Sequence, residues 1–418
     1  MGQFIIQGGQ RLQGEVTVQG AKNSALPILA ATAAVRGTCV IHNCPRLTDV
    51  DATLDILRCL HCDARREGET ITINTAGICG GAIPDSLMRE MRSSIIFLGP
   101  LLSALGRAEM SSPGGCEIGQ RPIDLHIAAM RAMGVQIQED GGRLHCHAPE
   151  GLRGARIALS FPSVGATENI MIAATTAKGS TTLTNAAREP EIADLAAFLN
   201  RCGARIHGAG EGTVLIEGVS ALTGTDHTVI PDRIAAATFL TAAAITRGDV
   251  LLRRCVPEHM DAMIALLEQG GTRVHRQKDE LRLTAYSRPR RLPTVRTMPY
   301  PGFPTDAQAA AMVLAAVADG TSLIIENIFE NRLKHVAELG RMGAHIRVEG
   351  HVAIVDGVAQ LTGSQVDACD LRAGAALVLA GLAAQGETTV RHIRHVDRGC
   401  QHFEADLAAL GAKIRREA

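Results

Sequence analysis

One cysteine stands where nucleophilic or acid–base chemistry is possible. Ser111-Ser112-Pro113-Gly114-Gly115-Cys116-Glu117-Ile118-Gly119-Gln120-Arg121-Pro122 is built from small polar residues, glycines and two prolines. Such a composition continues neither a helix nor a central strand and makes an exposed, hinge-rich loop. A free cysteine is most often a small buried hydrophobe. The glycine-rich setting, with Arg121 close behind, instead gives Cys116 the exposed, electropositive surroundings of a reactive thiol. Two other patterns are poorer in chemistry. Cys59-Leu60-His61-Cys62 spells CxxC without a second pair at zinc-site spacing, and His145-Cys146-His147 has no further ligands, so no metal centre is expected.

A second set of chemical groups emerges from the elements that must carry them. Turns of one form recur at Arg36-Gly37-Thr38, Leu105-Gly106-Arg107, Lys178-Gly179-Ser180, Arg247-Gly248-Asp249, Asp319-Gly320-Thr321 and Gln385-Gly386-Glu387. Their spacing divides the chain into six units of about 70 residues. The turns follow runs rich in Ala, Leu and Ile, as in Ala25 to Val35, Ile170 to Ala177, Ala235 to Thr246, Ala307 to Ala318 and Ala373 to Ala384. After the turn come a short strand such as Ser180 to Leu183 or Ser322 to Ile325, an amphipathic helix, and a Gly-Ala junction such as Cys202-Gly203-Ala204 into a second strand. The unit is α/β, with one apolar helix buried and one two-faced helix outside, and six units suit two domains of three.

Fourteen residues before the turn glycines stand Asn23, Arg92, Gly165, Ile234, Asp306 and Arg372, with Lys22, Ser163, Arg233, Thr305 and Asp370 beside them. The apolar helices therefore begin with polar groups. Parallel helices would bring these N-termini together, with free N–H groups and positive dipole ends suited to an anion. Ser163, Thr305 and Asp370 are ordinary N-cap types. Lys22, Arg92, Arg233 and Arg372 are not, because a cation there opposes the dipole. A substrate carrying phosphate and carboxylate groups is the simplest anion to justify them. From turn glycine to Gly-Ala junction the second unit is the longest, and its surplus is the Pro113 to Gln120 loop. Cys116 thus rides on a segment the repeat does not require, which suits a lid.

The chain has 418 residues, 46% of them hydrophobic and 20% charged, enough to bury a large core divided between domains. A net charge of -1 gives no general attraction to nucleic acid or membrane. The longest apolar stretches, Ala25 to Val35 and Ser94 to Leu105, are too short or interrupted to span a bilayer, and the N-terminus lacks a signal layout. A cytoplasmic protein without membrane insertion is the expectation. Eleven scattered cysteines point to free thiols.

These motifs, in order and from end to end, resemble the enolpyruvyl transferases. The resemblance rests on Gly20-Ala21-Lys22-Asn23-Ser24-Ala25-Leu26-Pro27, Met91-Arg92-Ser93-Ser94, Pro113-Gly114-Gly115-Cys116 and Arg121-Pro122-Ile123-Asp124-Leu125-His126. It extends through Ser163-Val164-Gly165-Ala166-Thr167, Asn185-Ala186-Ala187-Arg188-Glu189-Pro190-Glu191, Phe303-Pro304-Thr305-Asp306, Phe329-Glu330-Asn331-Arg332 and Asp370-Leu371-Arg372. It implies two inside-out α/β barrels of three repeats each, one at Ala21 to Ile230 and the other at residues 1–20 and 231–418, with the active site in the cleft between them.

The reaction so implied moves the enolpyruvyl group of phosphoenolpyruvate onto a hydroxyl and releases phosphate through a tetrahedral intermediate. The motifs are most similar to the branch whose acceptor is the 3-hydroxyl of UDP-N-acetylglucosamine, the committed step of peptidoglycan synthesis. By resemblance Lys22, Arg121 and Arg398 hold the phosphate of phosphoenolpyruvate, and Arg332 and Arg372 lie near the cleft to hold its carboxylate. Cys116 is the general acid at the methylene carbon and can form a covalent adduct, and Asp306 orients or deprotonates the sugar hydroxyl. The nucleotide sugar lies against Asn23, Arg92, Arg121, Pro122, Ile123, Asp124, Leu125, Ser163, Val164, Gly165, Asp306 and Ile328. No metal or cofactor is implied.

The chain departs from the family pattern at Phe161, where members often carry a basic residue, at Tyr300, where histidine is common, and at Ile96, where tryptophan is frequent. Cations around Cys116 favour thiolate whereas proton donation needs thiol, so bound phosphoenolpyruvate must restore the protonated form. Two other readings stay open: a different acceptor, such as shikimate 3-phosphate or another nucleotide, and a non-catalytic binding member. The cysteine lid argues against the shikimate branch. Retention of the cysteine, the aspartate and the basic cluster argues against the binding protein. Epoxide phosphonates such as fosfomycin are expected to alkylate Cys116 and abolish activity on prolonged exposure. Full activity after such exposure would contradict the role given to the thiol.

Overall fold

Runs of alanine, leucine and isoleucine favour helix and leave little face for water, and the fold buries most of their length. The computed structural model describes residues 2–111 and 123–417. Among the described residues the apolar helices are Lys22–Ala31, Leu98–Leu105, Val164–Ala174, Arg233–Ile245, Gln308–Ala316 and Leu371–Ala383. Leu29, Ile172, Leu240, Val313 and Leu377 along them are fully enclosed. The helix or its leading 3₁₀ turn opens at Lys22, Arg92, Val164, Arg233, Thr305 and Leu371. Each start falls within one residue of the position the repeat assigns.

The two-faced helices, such as Thr48–Cys59, Asp124–Ala132 and Pro190–Arg201, alternate buried and exposed residues. Pro190 opens its helix at a position where a missing N–H is harmless. The sheets repeat one topology. Arg156–Ala158 runs parallel to Ser180–Thr184, which pairs antiparallel with Thr213–Glu217, itself antiparallel to Arg205–His207. Val295–Arg296, Thr321–Ile325, Val352–Asp356 and His345–Glu349 follow the same order. Strands such as Ser180–Thr184 alternate exposed and buried residues, so one face of the sheet covers apolar helices and the other is wet. In the second repeat Arg107–Ser111, Arg143–His147 and Gln136–Asp140 form three strands, with a parallel bridge from Ala82 to Glu109 at the edge.

Contacts divide the described chain into two compact units, residues 20–111 with 123–230, and residues 2–19 with 231–417. In the first, Leu222–Thr223 and Asp226–Thr228 return to pair in parallel with Val35–Arg36 and Thr38–His42. In the second, the start of the chain makes the corresponding closure. Gln13–Thr17 pairs in parallel with Asp249–Arg253, and Gln3–Gln7 lies between Glu387–Arg391 and Lys413–Glu417.

One junction differs from the sequence reading. The first repeat has no Gly-Ala pair at its junction into the second strand; the left-handed residue that ends its helix is His61, with φ 64°, in the role Gly203 plays at φ 99°. The CxxC pair therefore brackets a helix stop, with Cys59 exposed and Cys62 buried.

Close backbone approach recurs between repeats. A Cβ on Gly218 would lie 1.7 Å from the Ala177 carbonyl oxygen, and one on Gly357 would lie 1.9 Å from that of Ala318. Neither backbone can yield without parting strand from helix. Gly218→Ala is expected to destabilise the protein by about 2–3 kcal/mol, read as a lowered melting temperature. An unchanged melt would mean that the junction is looser than described.

Candidate active site

In the unit formed by residues 2–19 and 231–417, helix starts gather around one carboxylate. Asp306, in the 3₁₀ turn Thr305–Ala307, accepts from Arg332 Nη2 at 2.8 Å through Oδ1 and from Arg372 Nη2 at 2.9 Å through Oδ2. The arginine side chains are 4% and 8% exposed, whereas Asp306 keeps 26% and so gives the cluster its opening to solvent. Burial opposes the charge on Arg372, but Asp306, Asp232 and Cys400 outweigh it and hold the guanidinium more firmly protonated than usual. Its Nε is buried without a hydrogen-bond partner among the described residues. Arg332 also lies over the Phe329 ring at 5.5 Å.

A fully buried glutamate sets this geometry. Glu326 accepts from Thr297 and Thr305 hydroxyls at 3.0 and 2.9 Å and from the backbone N–H groups of Ile328 and Phe329 at 2.8 and 3.1 Å. It thereby ties the turn that carries Asp306 to the segment that carries Ile328 and Arg332. Asp370 and Asp232 are true N-caps: Asp370 accepts from Arg372 and Ala373 N–H, and Asp232 from Ile234 and Ala235 N–H. Thr305 is not a cap; its hydroxyl is turned to Glu326. His335 is enclosed behind the cluster. Burial pushes it down to about 4 against the pull of Asp370, and Arg332 adds to the push, so the ring is neutral and brings no third cation.

In the unit formed by residues 20–111 and 123–230, Lys22 opens its helix with Nζ 2.5 Å from Asp49 Oδ2, the two side chains 9% and 5% exposed. Asn23 follows, half-buried, and the Ser24 hydroxyl donates to Asp194. Asp194 also takes the Ile230 N–H at 3.2 Å and lies 3.0 Å from His227 Nε2. Ser163 caps the Val164–Ala174 helix by accepting the Ala166 N–H. Gly165 sits against the His126 ring, where a Cβ would approach to 3.4 Å. Asn169 donates to the Ile95 carbonyl at 2.9 Å, lies 2.8 Å from His126 Nδ1, and accepts the Gly99 N–H at 2.8 Å. Nearby, burial, with Glu191 and Glu189 adding, raises the Glu168 carboxyl well above its usual range.

Asp306, Arg332 and Arg372 are thus brought together, with Ile328 on the adjoining segment. Arg398 ends the 3₁₀ helix Ile393–Arg398 of the same unit. Lys22, Asn23, Arg92, Ser163, Val164 and Gly165 stand at helix starts of the other unit, where Ile123, Asp124 and Leu125 open the Asp124–Ala132 helix. Cys116, Arg121 and Pro122 lie outside the described residues. The cations that oppose their helix dipoles differ in one respect from the sequence expectation. Lys22 and Arg372 already have protein carboxylates, Asp49 and Asp306, so a bound anion must share them. Sequence reasoning missed Asp49, Glu326 and Asn169. The one signal for Asp49 was its place in the first turn of an amphipathic helix, and Glu326 and Asn169 gave none.

Residues 6–407 match the family described as EPSP synthase (3-phosphoshikimate 1-carboxyvinyltransferase), and the chain belongs to it. Within that family it is 50% identical, over 100% of both chains, to UDP-N-acetylglucosamine 1-carboxyvinyltransferase 2 of Caldanaerobacter subterraneus subsp. tengcongensis. It is 52% identical to UDP-N-acetylglucosamine 1-carboxyvinyltransferase 1 of Symbiobacterium thermophilum, over 99% of this chain and 95% of that one. In structure it is similar to the enolpyruvyl transferase NikO from Streptomyces tendae, with a TM-score of 0.89 and 28% identity, covering 99% of this chain and 98% of that one. The fold is that of the enolpyruvyl transferases.

Removing Asp306 would leave two buried guanidinium groups without a counter-charge. Asp306→Ala is expected to cost about 3–5 kcal/mol of stability, seen as a lowered melt that added inorganic phosphate partly restores. A melt equal to the parent protein's would show the cluster to be more solvated than its burial indicates.

Proposed function

We propose that the protein transfers the enolpyruvyl group of phosphoenolpyruvate to the 3-hydroxyl of UDP-N-acetylglucosamine and releases phosphate, the committed step of peptidoglycan synthesis. The observation that carries this reading is identity of 50% and 52%, over nearly whole chains, to relatives named for that acceptor. The similarity to NikO, at 28% identity, supports the chemistry without choosing the acceptor.

In this reading the sugar hydroxyl, oriented or deprotonated by Asp306, gives up its proton as its oxygen bonds to C2 of phosphoenolpyruvate, while a second proton reaches C3. The tetrahedral adduct then loses a proton from C3 and phosphate from C2. Cys116 delivers the proton to C3, and Lys22, Arg121 and Arg398 hold the phosphate as charge builds on its bridging oxygen. Arg332 and Arg372 offer guanidinium donors to the carboxylate, and the Arg372 Nε, without a hydrogen-bond partner among the described residues, supports that assignment. Asp306, each oxygen already taken by a guanidinium, is suited to orienting the sugar hydroxyl. The nucleotide lies against Asn23, Arg92, Pro122 to Leu125, Ser163 to Gly165 and Ile328. Phe161, 44% exposed, offers apolar surface and no charge to the diphosphate.

No helix among the described residues is long and apolar enough to cross a membrane; a cytoplasmic location is part of the proposed reading. Fosfomycin-type inhibitors belong to this reading as covalent ligands of Cys116.

Phosphate release from phosphoenolpyruvate, measured with UDP-N-acetylglucosamine, shikimate 3-phosphate and UMP as acceptors, tests the proposal. Release with the sugar nucleotide alone is expected. Release only with another acceptor would keep the chemistry and change the substrate. No release from folded protein would favour a binding role.

A further inference from the structure

We propose that Asp49 is a positioning residue for phosphate recognition and acts through Lys22. The inference rests on the reading that Lys22 holds the phosphate of phosphoenolpyruvate. Asp49 is the second residue of the helix Thr48–Cys59, in the first turn, where the helix dipole favours a carboxylate. Its Oδ2 is 2.5 Å from Lys22 Nζ, and the pair is almost wholly removed from solvent. An ammonium so enclosed is costly unless it is paired, so Asp49 keeps the lysine charged in a dry place.

Direction matters as much as charge. Lysine carries a compact charge on a flexible four-carbon stem with three rotatable donors, and by itself it fixes no geometry. The Asp49 carboxylate engages one side of the ammonium and aims its remaining N–H bonds.

The backbone beneath is fixed separately. The Ala21 N–H donates to the Ile230 carbonyl at 2.7 Å, and Ser24 is held by Asp194, which also takes the Ile230 N–H. Asp194 thus sets where the helix starts, and Asp49 sets where its first side chain points. Asp49 touches no reacting atom in this scheme; its effect passes through Lys22.

The test is a double-mutant cycle read by phosphate release with phosphoenolpyruvate and UDP-N-acetylglucosamine, with thermal melts to certify folding. Asp49→Asn is expected to lower kcat/KM for phosphoenolpyruvate about 100-fold, the scale of a small misplacement of a catalytic group, and to leave KM for the sugar nucleotide within about 3-fold. In a Lys22→Gln background the same change should cost less than about 3-fold more, because coupled residues are not additive. Asp49→Glu, which keeps the charge but moves it by one methylene, should raise KM for phosphoenolpyruvate about 10-fold and carries the test if Asp49→Asn melts early. Parent-like phosphoenolpyruvate kinetics in these Asp49 variants, or a full additive loss in the Lys22→Gln background, would overturn the proposal alone. Parent-like activity in Lys22→Gln itself would instead sink the reading of Lys22, and this proposal with it.

Discussion

A helix buried on nearly every side leaves its ends as the places where charge can stand at least cost, and that constraint governs the molecule. The apolar helices are enclosed along most of their length, so their unsatisfied N–H groups and their dipole ends are where charged chemistry can be placed at least cost to the core. Asp232, Asp370 and Ser163 answer part of that demand as caps. Lys22 and Arg372 occupy the same first turns with the opposite charge, and the fold tolerates them because a carboxylate from another element meets each one.

These pairings make the sites preorganised. Two buried guanidinium groups sharing Asp306 cannot relax into water, and Glu326 restrains both the turn and the adjoining segment through four hydrogen bonds. Any anion binding there would meet donors already aimed, with little reorganisation left to perform. His335 fits the same logic, since a protonated ring beside Arg332 would add repulsion that the enclosed site could not screen.

The repeat, the apolar helices and their starting points were legible because they are local: a turn glycine, an alanine-rich run and a polar residue before it lie within one short stretch. The sheet order was not, since strands from distant segments complete it, such as Gln3–Gln7 beside Glu387–Arg391. His61 concealed a helix stop because an ordinary residue had taken a glycine's conformation. The pairings Lys22 with Asp49 and Thr305 with Glu326 join separate elements and leave no mark in spacing. The motifs of Cys116 and Arg121 were plain in the sequence but lie outside the described residues, so their roles rest on composition and resemblance.

The threading of the N-terminal strands also sets an order of events during synthesis. Gln3 bonds to Glu417 across a separation of 414 residues, so the unit containing both cannot complete that sheet until the last strand has left the ribosome. The intervening unit draws its parallel closures, Leu222–Thr223 on Val35–Arg36 and Asp226–Thr228 on Thr38–His42, from within its own segment and can close while the rest is still being made. Domains generally fold as units as the chain emerges. Until then one edge of Gln3–Gln7 is unpaired, an edge of the kind that invites wrong partners.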